Sequence, residues 1–167
     1  MLDVAIDGAD EIDPNLDLIK GGGGCQTQEK IVAAAAKTFV VVADFRKRSP
    51  GLLRTWRKGV PIEIIPCALG PVQRALRLLQ GDPRVRVGAP SKAGPCVTDN
   101  GGFIIDCDWG AGSGLLCSAA ELHATVKKIP GVIETGIFAD MAQIAYVGNG
   151  DGSVDKISRD GTVETVK

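Results

Sequence analysis

An α/β fold follows from three features of this sequence. Two largely apolar, strand-forming runs, residues 2–6 and 38–43, flank a segment of helix formers from about 26 to 37, which is the strand, helix, strand order of a parallel sheet. Each run stops at an aspartate, Asp7 or Asp44, as buried strands stop at the rim of a sheet. Beyond Pro61 the pattern becomes strand, helix, strand, strand, helix, strand, the split βαβ order of a ferredoxin-like α+β unit. The expected architecture is a partial Rossmann-like parallel-sheet domain over residues 1–60, a smaller ferredoxin-like domain over 61–136, and a return to the first domain with a C-terminal tail over 137–167.

The first strand carries Leu2, Val4, Ala5 and Ile6 and is expected to be buried. Chemistry begins where it ends, with Asp7, Asp10, Glu11 and Asp13 before a second short apolar run, Leu16, Leu18 and Ile19, that closes on Lys20. Glycines at 21, 22, 23 and 24 follow, and then the helix, with Ile31, Val32, Ala35 and Ala36 expected on its buried face. Consecutive glycines reach positive φ and can bring several N–H groups to one anionic atom at a helix N-terminus. Glu29, in the early turns of that helix, is then a carboxylate beside Lys20, Asp7 and Asp10. Taken singly, an acidic stretch with Pro14 and Asn15 reads as a solvated turn and a glycine run as a flexible connection; it is the combination that is specific. Thr27 stands where a dinucleotide fingerprint needs glycine, and no Gly-Lys-Ser/Thr follows.

The strand at 38–43, reading TFVVVA, is a continuous run expected to be buried. Lys47 lies just past it, on the rim that carries Asp7 if the two strands are parallel, whereas Arg46 and Arg48 read as a solvated basic turn. Residues 49–59 form a loop that buries Trp56. The second unit is expected as a strand at 62–65, a helix at about 70–80, strands at 84–87 and 102–107, a helix at about 119–128 and a strand at 132–138. Val72, Leu76 and Leu79 on one helix, and Leu122, Val126 and Ile129 with the other, supply core faces. The glycines at 110–114 read as a flexible connection. A strand at 144–147 returns to the first sheet, and the repeated D-G-S-V-D and D-G-T-V-E of the tail mark turns between short strands, without the Gly and Glu positions of a calcium loop.

Composition limits the function classes. The 167 residues suffice for a sizeable core, and 19 basic against 20 acidic residues exclude a nucleic-acid binder recognised by bulk charge, leaving small molecules or other protein chains as partners. No apolar stretch is long enough to span a bilayer and no basic, then hydrophobic, leader opens the chain, so no membrane association and a cytoplasmic location are expected. The cysteines at 25, 67, 96, 107 and 117 are odd in number and form no C-x-x-C pair, and His123 is the only histidine. These features fit reduced thiols and assemble no metal site.

D-G-A-D-E-I at 7–12, K-G-G-G-G at 20–24, T-Q-E-K-I-V at 27–32, V-A-D-F-R-K at 42–47, P-I-E-I-I-P at 61–66, V-T-D-N-G at 97–101 and I-P-G-V at 129–132 occur in this order. With them the chain resembles ribose-5-phosphate isomerase, type A, from Leu2 to about Asp155. The resemblance implies an aldose–ketose isomerase of the non-oxidative pentose phosphate pathway that interconverts D-ribose 5-phosphate and D-ribulose 5-phosphate through an enediolate. It implies Glu29 as the base, Asp7 and Asp10 for hydroxyl protons and ring opening, and Lys20 at the developing oxyanion. The substrate-binding set it implies is Asp7, Gly8, Ala9, Asp10, Lys20, Gly21, Gly22, Gly23, Gly24 and Lys47, with no cofactor, no metal and a homo-oligomeric assembly. The family carries a threonine- and glycine-rich phosphate loop ahead of its first aspartate strand, and no such segment stands before Leu2. The alternative expectation is accordingly a truncated, catalytically dead sugar-phosphate binder or structural protein.

Overall fold

A computed structural model describes residues 2–88, 93–110 and 118–167. In chain order its first strands are β1 (Leu2–Asp7), β2 (Glu11–Ile12), β3 (Leu18–Ile19), β4 (Ala36–Asp44), β5 (Val60–Ile64) and β6 (Asp82–Val85). The remaining strands are β7 (Phe103–Asp108), β8 (Val132–Thr135), β9 (Ile137–Phe138), β10 (Ile144–Gly148), β11 (Val154–Ser158) and β12 (Val163–Val166). The helices are α1 (Gln26–Ala34), α2 (Leu69–Leu78) and α3 (Ala119–Lys127).

Strands β1, β4 and β10 pair in parallel, with Asp7 level with Val41, and β11 and β12 extend the sheet antiparallel in the order β1-β4-β10-β11-β12. A four-stranded antiparallel sheet has the order β6-β7-β5-β8, the strand order of a split βαβ unit. Between them a small sheet, β2-β3-β9, joins the acidic stretch to the segment that leaves β8. One apolar cluster, with Ala5, Phe39, Val41, Ala145 and Val147, lies on one face of the parallel sheet; another, with Ile62, Ile64, Val72, Leu76, Ile105 and Val126, fills the four-stranded unit.

The class of fold follows the sequence reading, but several local expectations do not hold. Helix α1 ends at Ala34 and the next strand opens at Ala36, two residues ahead of the expected Thr38. Its buried residues are Gln26, Lys30 and Ala33, while Ile31 and Val32 are exposed. The cause is what the helix faces: Lys30 donates to the carbonyls of Thr135 and Ile137, both at 2.7 Å, and to Glu134 at 3.0 Å, so a donor is needed where apolar packing was expected. Strand β1 is an edge strand that buries Ala5 and exposes Leu2, Val4 and Ile6 on its other face, and β4 likewise buries Phe39 and Val41 while exposing Val42. In the 49–59 loop Leu53 is buried, and Trp56 only partly. Arg48 pairs with Asp155 of β11 at 2.8 Å, whereas Arg46 stays exposed on Asp44.

The expected strand at 132–138 divides at Gly136 into β8 and β9, which belong to different sheets. A Cβ at Gly136 would stand 2.1 Å from the Lys20 carbonyl oxygen, and Gly136 in turn accepts from the Lys20 amide at 2.8 Å. Only glycine permits this approach, and it fixes the backbone of Lys20 against the four-stranded unit. In the tail, Asp151 and Asp160 accept from the amides of Ser153 and Thr162, so both Asp-Gly pairs are turns, the second joining β11 to β12. Of the glycine-rich stretch at 110–114, residues 111–114 lie outside the described residues, as does Cys117.

Candidate active site

Three chain segments converge at the C-terminal end of β1. The strand delivers Asp7 to the rim; β3 delivers Lys20; the first turn of α1 delivers Glu29. Lys20 is buried, and its Nζ donates to the Gly8 carbonyl at 2.5 Å while standing 3.0 Å from Asp7 Oδ2 and 3.3 Å from Glu29 Oε2. One ammonium thus sits between two carboxylates. Burial pushes the Glu29 carboxyl above its ordinary 4.5; Lys20 pulls it down, the charges of Asp7 and Asp10 push it up, and the net displacement is upward. Among the described residues no amide or hydroxyl donates to Glu29 Oε2.

Asp10 accepts the Gly22 N–H at 2.7 Å. A Cβ at Gly22 would fall 2.7 Å from Asp10 Oδ1 and 2.9 Å from the Trp56 ring, so a side chain there would have to displace the Asp10 carboxylate or the Trp56 ring. Gly21 and Gly24 take positive φ, as glycine runs allow, and the Gly24 N–H closes a turn on the Gly21 carbonyl at 2.9 Å. The loop amides therefore do not all point at one place: Gly22 serves Asp10 and Gly24 serves the turn.

A cavity of about 230 Å³ is lined by Asp7, Gly8, Ala9, Asp10, Lys20, Gly21, Gly22, Gly23 and Glu29. These are residues the sequence brought forward, now on one surface; Gly24 is not among the lining groups. Lys47, in a 3-10 turn after β4, lines a neighbouring cavity of about 330 Å³ with Asp10, Arg46, Thr55 and Trp56, so Asp10 is common to both. Among the described residues no group of three or more His, Cys, Asp or Glu could hold a metal ion. Chemically, a half-buried carboxylate of raised pKa beside a fixed ammonium can take a proton from carbon while the ammonium receives charge on the adjacent oxygen.

Two fully buried carboxylates hold this site in place: Glu11, which the sequence placed with the acidic residues that follow β1, and Glu63, which sequence reasoning passed over. Glu11 accepts the backbone N–H groups of Leu53, Arg54, Thr55 and Trp56 at 2.6 to 3.2 Å, which anchors the loop that sets Trp56 against Gly22. Glu63, on β5, accepts the hydroxyls of Thr27 and Thr98 and the Asn100 amide, tying the first turn of α1 to the four-stranded sheet. A charged residue within the apolar P-I-E-I-I-P run was the available signal for Glu63. Arg86, after β6, reaches the Gly21 and Gly22 carbonyls; nothing in the sequence separates it from Arg84, which is exposed on Asp82.

Residues 1–152 match the family model for ribose 5-phosphate isomerase A (phosphoriboisomerase A). A ribose-5-phosphate isomerase of Debaryomyces hansenii is 52% identical over 155 residues, covering 92% of this chain and 60% of that protein. The human ribose-5-phosphate isomerase is 51% identical over 154 residues, 92% of this chain and 48% of its own length. Ribose 5-phosphate isomerase A of Methanocaldococcus jannaschii superposes with a TM-score of 0.81 at 41% identity over 99% of this chain and 65% of that one. A D-ribose-5-phosphate isomerase solved in complex with phospho-erythronic acid gives 0.85 at 44% identity over 93% and 65%. The chain thus spans less than two thirds of the length of these relatives. By its family-model match and by identity over nearly its whole length, it belongs to the ribose 5-phosphate isomerase A family.

Proposed function

We propose that this chain carries the proton-transfer centre of an enzyme that interconverts D-ribose 5-phosphate and D-ribulose 5-phosphate. The observation that carries the reading is Lys20 Nζ, 3.0 Å from Asp7 and 3.3 Å from Glu29 in one cavity. In the open-chain sugar, Glu29 takes the proton from C2 and returns it to C1, so the carboxylate alternates between base and acid. Lys20 balances the negative charge that grows on the oxygen of the enediolate, and being already buried and paired it needs no rearrangement to do so. Asp7 and Asp10 exchange the hydroxyl protons at O1 and O2 and assist ring opening. Lys47, across Asp10 in the adjoining cavity, meets the far edge of the substrate.

The division into residues 1–60, 61–136 and 137–167 belongs to this reading, supported by β1, β4 and β10 sharing one sheet and β5 to β8 another. So do a homo-oligomeric assembly, the non-oxidative pentose phosphate pathway and a cytoplasmic location, the last supported by free thiols at Cys25, Cys67, Cys96 and Cys107. The test is turnover of ribose 5-phosphate and calorimetric binding of phospho-erythronic acid, a carboxylate whose shape matches the enediolate, measured on the chain alone and joined to the N-terminal segment of a relative. Binding with turnover in either form supports the proposal; binding without turnover in both leaves a sugar-phosphate binder, and neither binding nor turnover removes the reading.

A further inference from the structure

The glycine loop is gripped from outside by the four-stranded sheet. Arg86 follows β6 in sequence, and its guanidinium is fixed on Asp106 of β7 through Nε to Oδ2 at 2.9 Å and Nη2 to Oδ1 at 2.5 Å. That bidentate pair leaves Nη1, which donates to the Gly21 carbonyl at 2.8 Å and the Gly22 carbonyl at 3.2 Å. The described peptide bonds are all trans, and in a trans peptide the carbonyl and the following N–H point to opposite sides. Drawing these two carbonyls toward Arg86 therefore turns the N–H groups of Gly22 and Gly23 away from it. The Gly22 N–H is found on Asp10 at 2.7 Å, and Gly23 lines the cavity that holds Lys20 and Glu29.

We propose that Arg86, held by Asp106, is a positioning residue that sets two peptide planes of the loop. One amide then fixes the Asp10 carboxylate, and the next is offered to an oxygen of the bound sugar phosphate. The proposal rests on the isomerase reading and adds a residue to it. Donors preset before charge develops are worth more than donors that must turn during the reaction, and a lysine cannot reproduce the planar fork that joins a carboxylate to two carbonyls.

The test compares Arg86→Met, Arg86→Lys and Asp106→Asn with the parent in the form that shows ribose 5-phosphate turnover. Arg86→Met is expected to lower kcat by about 10- to 100-fold with KM changed by less than about threefold, to weaken phospho-erythronic acid binding by about tenfold, and not to be rescued by lysine. Solvent exchange of the Gly22 amide proton, read by NMR, is expected to accelerate by about tenfold, with the amides of β4 unchanged. A folded Arg86→Met variant with parental kcat and parental Gly22 exchange overturns the proposal. If that variant does not fold, the same two readings on Asp106→Asn decide it. If the parent shows no turnover, the isomerase reading fails separately, and the Gly22 exchange alone decides whether Arg86 holds the loop.

Discussion

Glu11 and Glu63 on one side, and Glu29 on the other, are carboxylates taken out of water in opposite ways. The first two are wholly enclosed, and their oxygens are occupied by donors: backbone N–H groups around Glu11, hydroxyls and an amide around Glu63. Glu29 keeps 29% of its side-chain surface, faces one ammonium, and has no amide or hydroxyl on Oε2. A carboxylate whose lone pairs are filled is a fastener, since removing it strands its donors. One left short of donors is pushed toward its protonated form and stays free to exchange a proton. The same residue type thus anchors the frame at two places and remains reactive at the third.

Conservative substitutions separate the two kinds, and the largest change belongs to Glu29. Glu29→Gln is expected to reduce turnover by roughly 10²- to 10⁴-fold while the melting temperature stays near that of the parent, checked by steady-state kinetics and calorimetry. Glu11→Gln should do the reverse. One oxygen of the Gln becomes an NH₂ facing backbone N–H groups that can only donate, so a loss of roughly 3 kcal/mol in denaturant unfolding is expected, with increased exchange at residues 53–56. Glu63→Gln is expected to cost less, about 1 kcal/mol, because the Thr27 and Thr98 hydroxyls can turn and accept from the new NH₂. If Glu11→Gln and Glu63→Gln were equally costly, the distinction between fixed and reversible donors would be wrong.

The smallest effect is the pH dependence of stability. The Glu29 carboxyl is raised in the folded state, first by burial and then by Asp7 and Asp10 against the pull of Lys20. The stability it contributes is therefore present below the ordinary 4.5 and is lost as pH rises through the folded value. Glu29→Gln lacks that titration, so its unfolding free energy relative to the parent should increase between pH 4 and pH 7; a difference that falls with pH contradicts the assignment. In the kinetics the same displacement places the acid limb of kcat/KM, which reports the free enzyme, above the ordinary carboxylate value, because the base works only when deprotonated.

These contrasts also show what the sequence could and could not reveal. Asp7, Asp10, Lys20 and Glu29 were legible because strand ends, a glycine run and a helix start fix where the chain must go, and their strings are distinctive together. The buried side of α1 was not. Periodicity assigns Ile31 and Val32 to the interior, but the helix faces carbonyls beside Gly136, a long-range arrangement that only Lys30 can satisfy. Leu2, Val4 and Ile6 similarly follow strand propensity without disclosing that β1 stands at a sheet edge. The fasteners Glu11, Glu63 and Arg86 act on residues 42, 36 and 65 positions away, distances over which a single sequence carries no pairing signal.

Isomerisation in D₂O with NMR detection of deuterium at C1 of ribulose 5-phosphate tests the central claim most directly. A catalytically complete form should incorporate solvent deuterium at C1 through Glu29. Its Glu29→Gln variant should bind phospho-erythronic acid, yet incorporate none above the uncatalysed background. Incorporation by Glu29→Gln at a rate within about threefold of the parent would show that another group moves the proton.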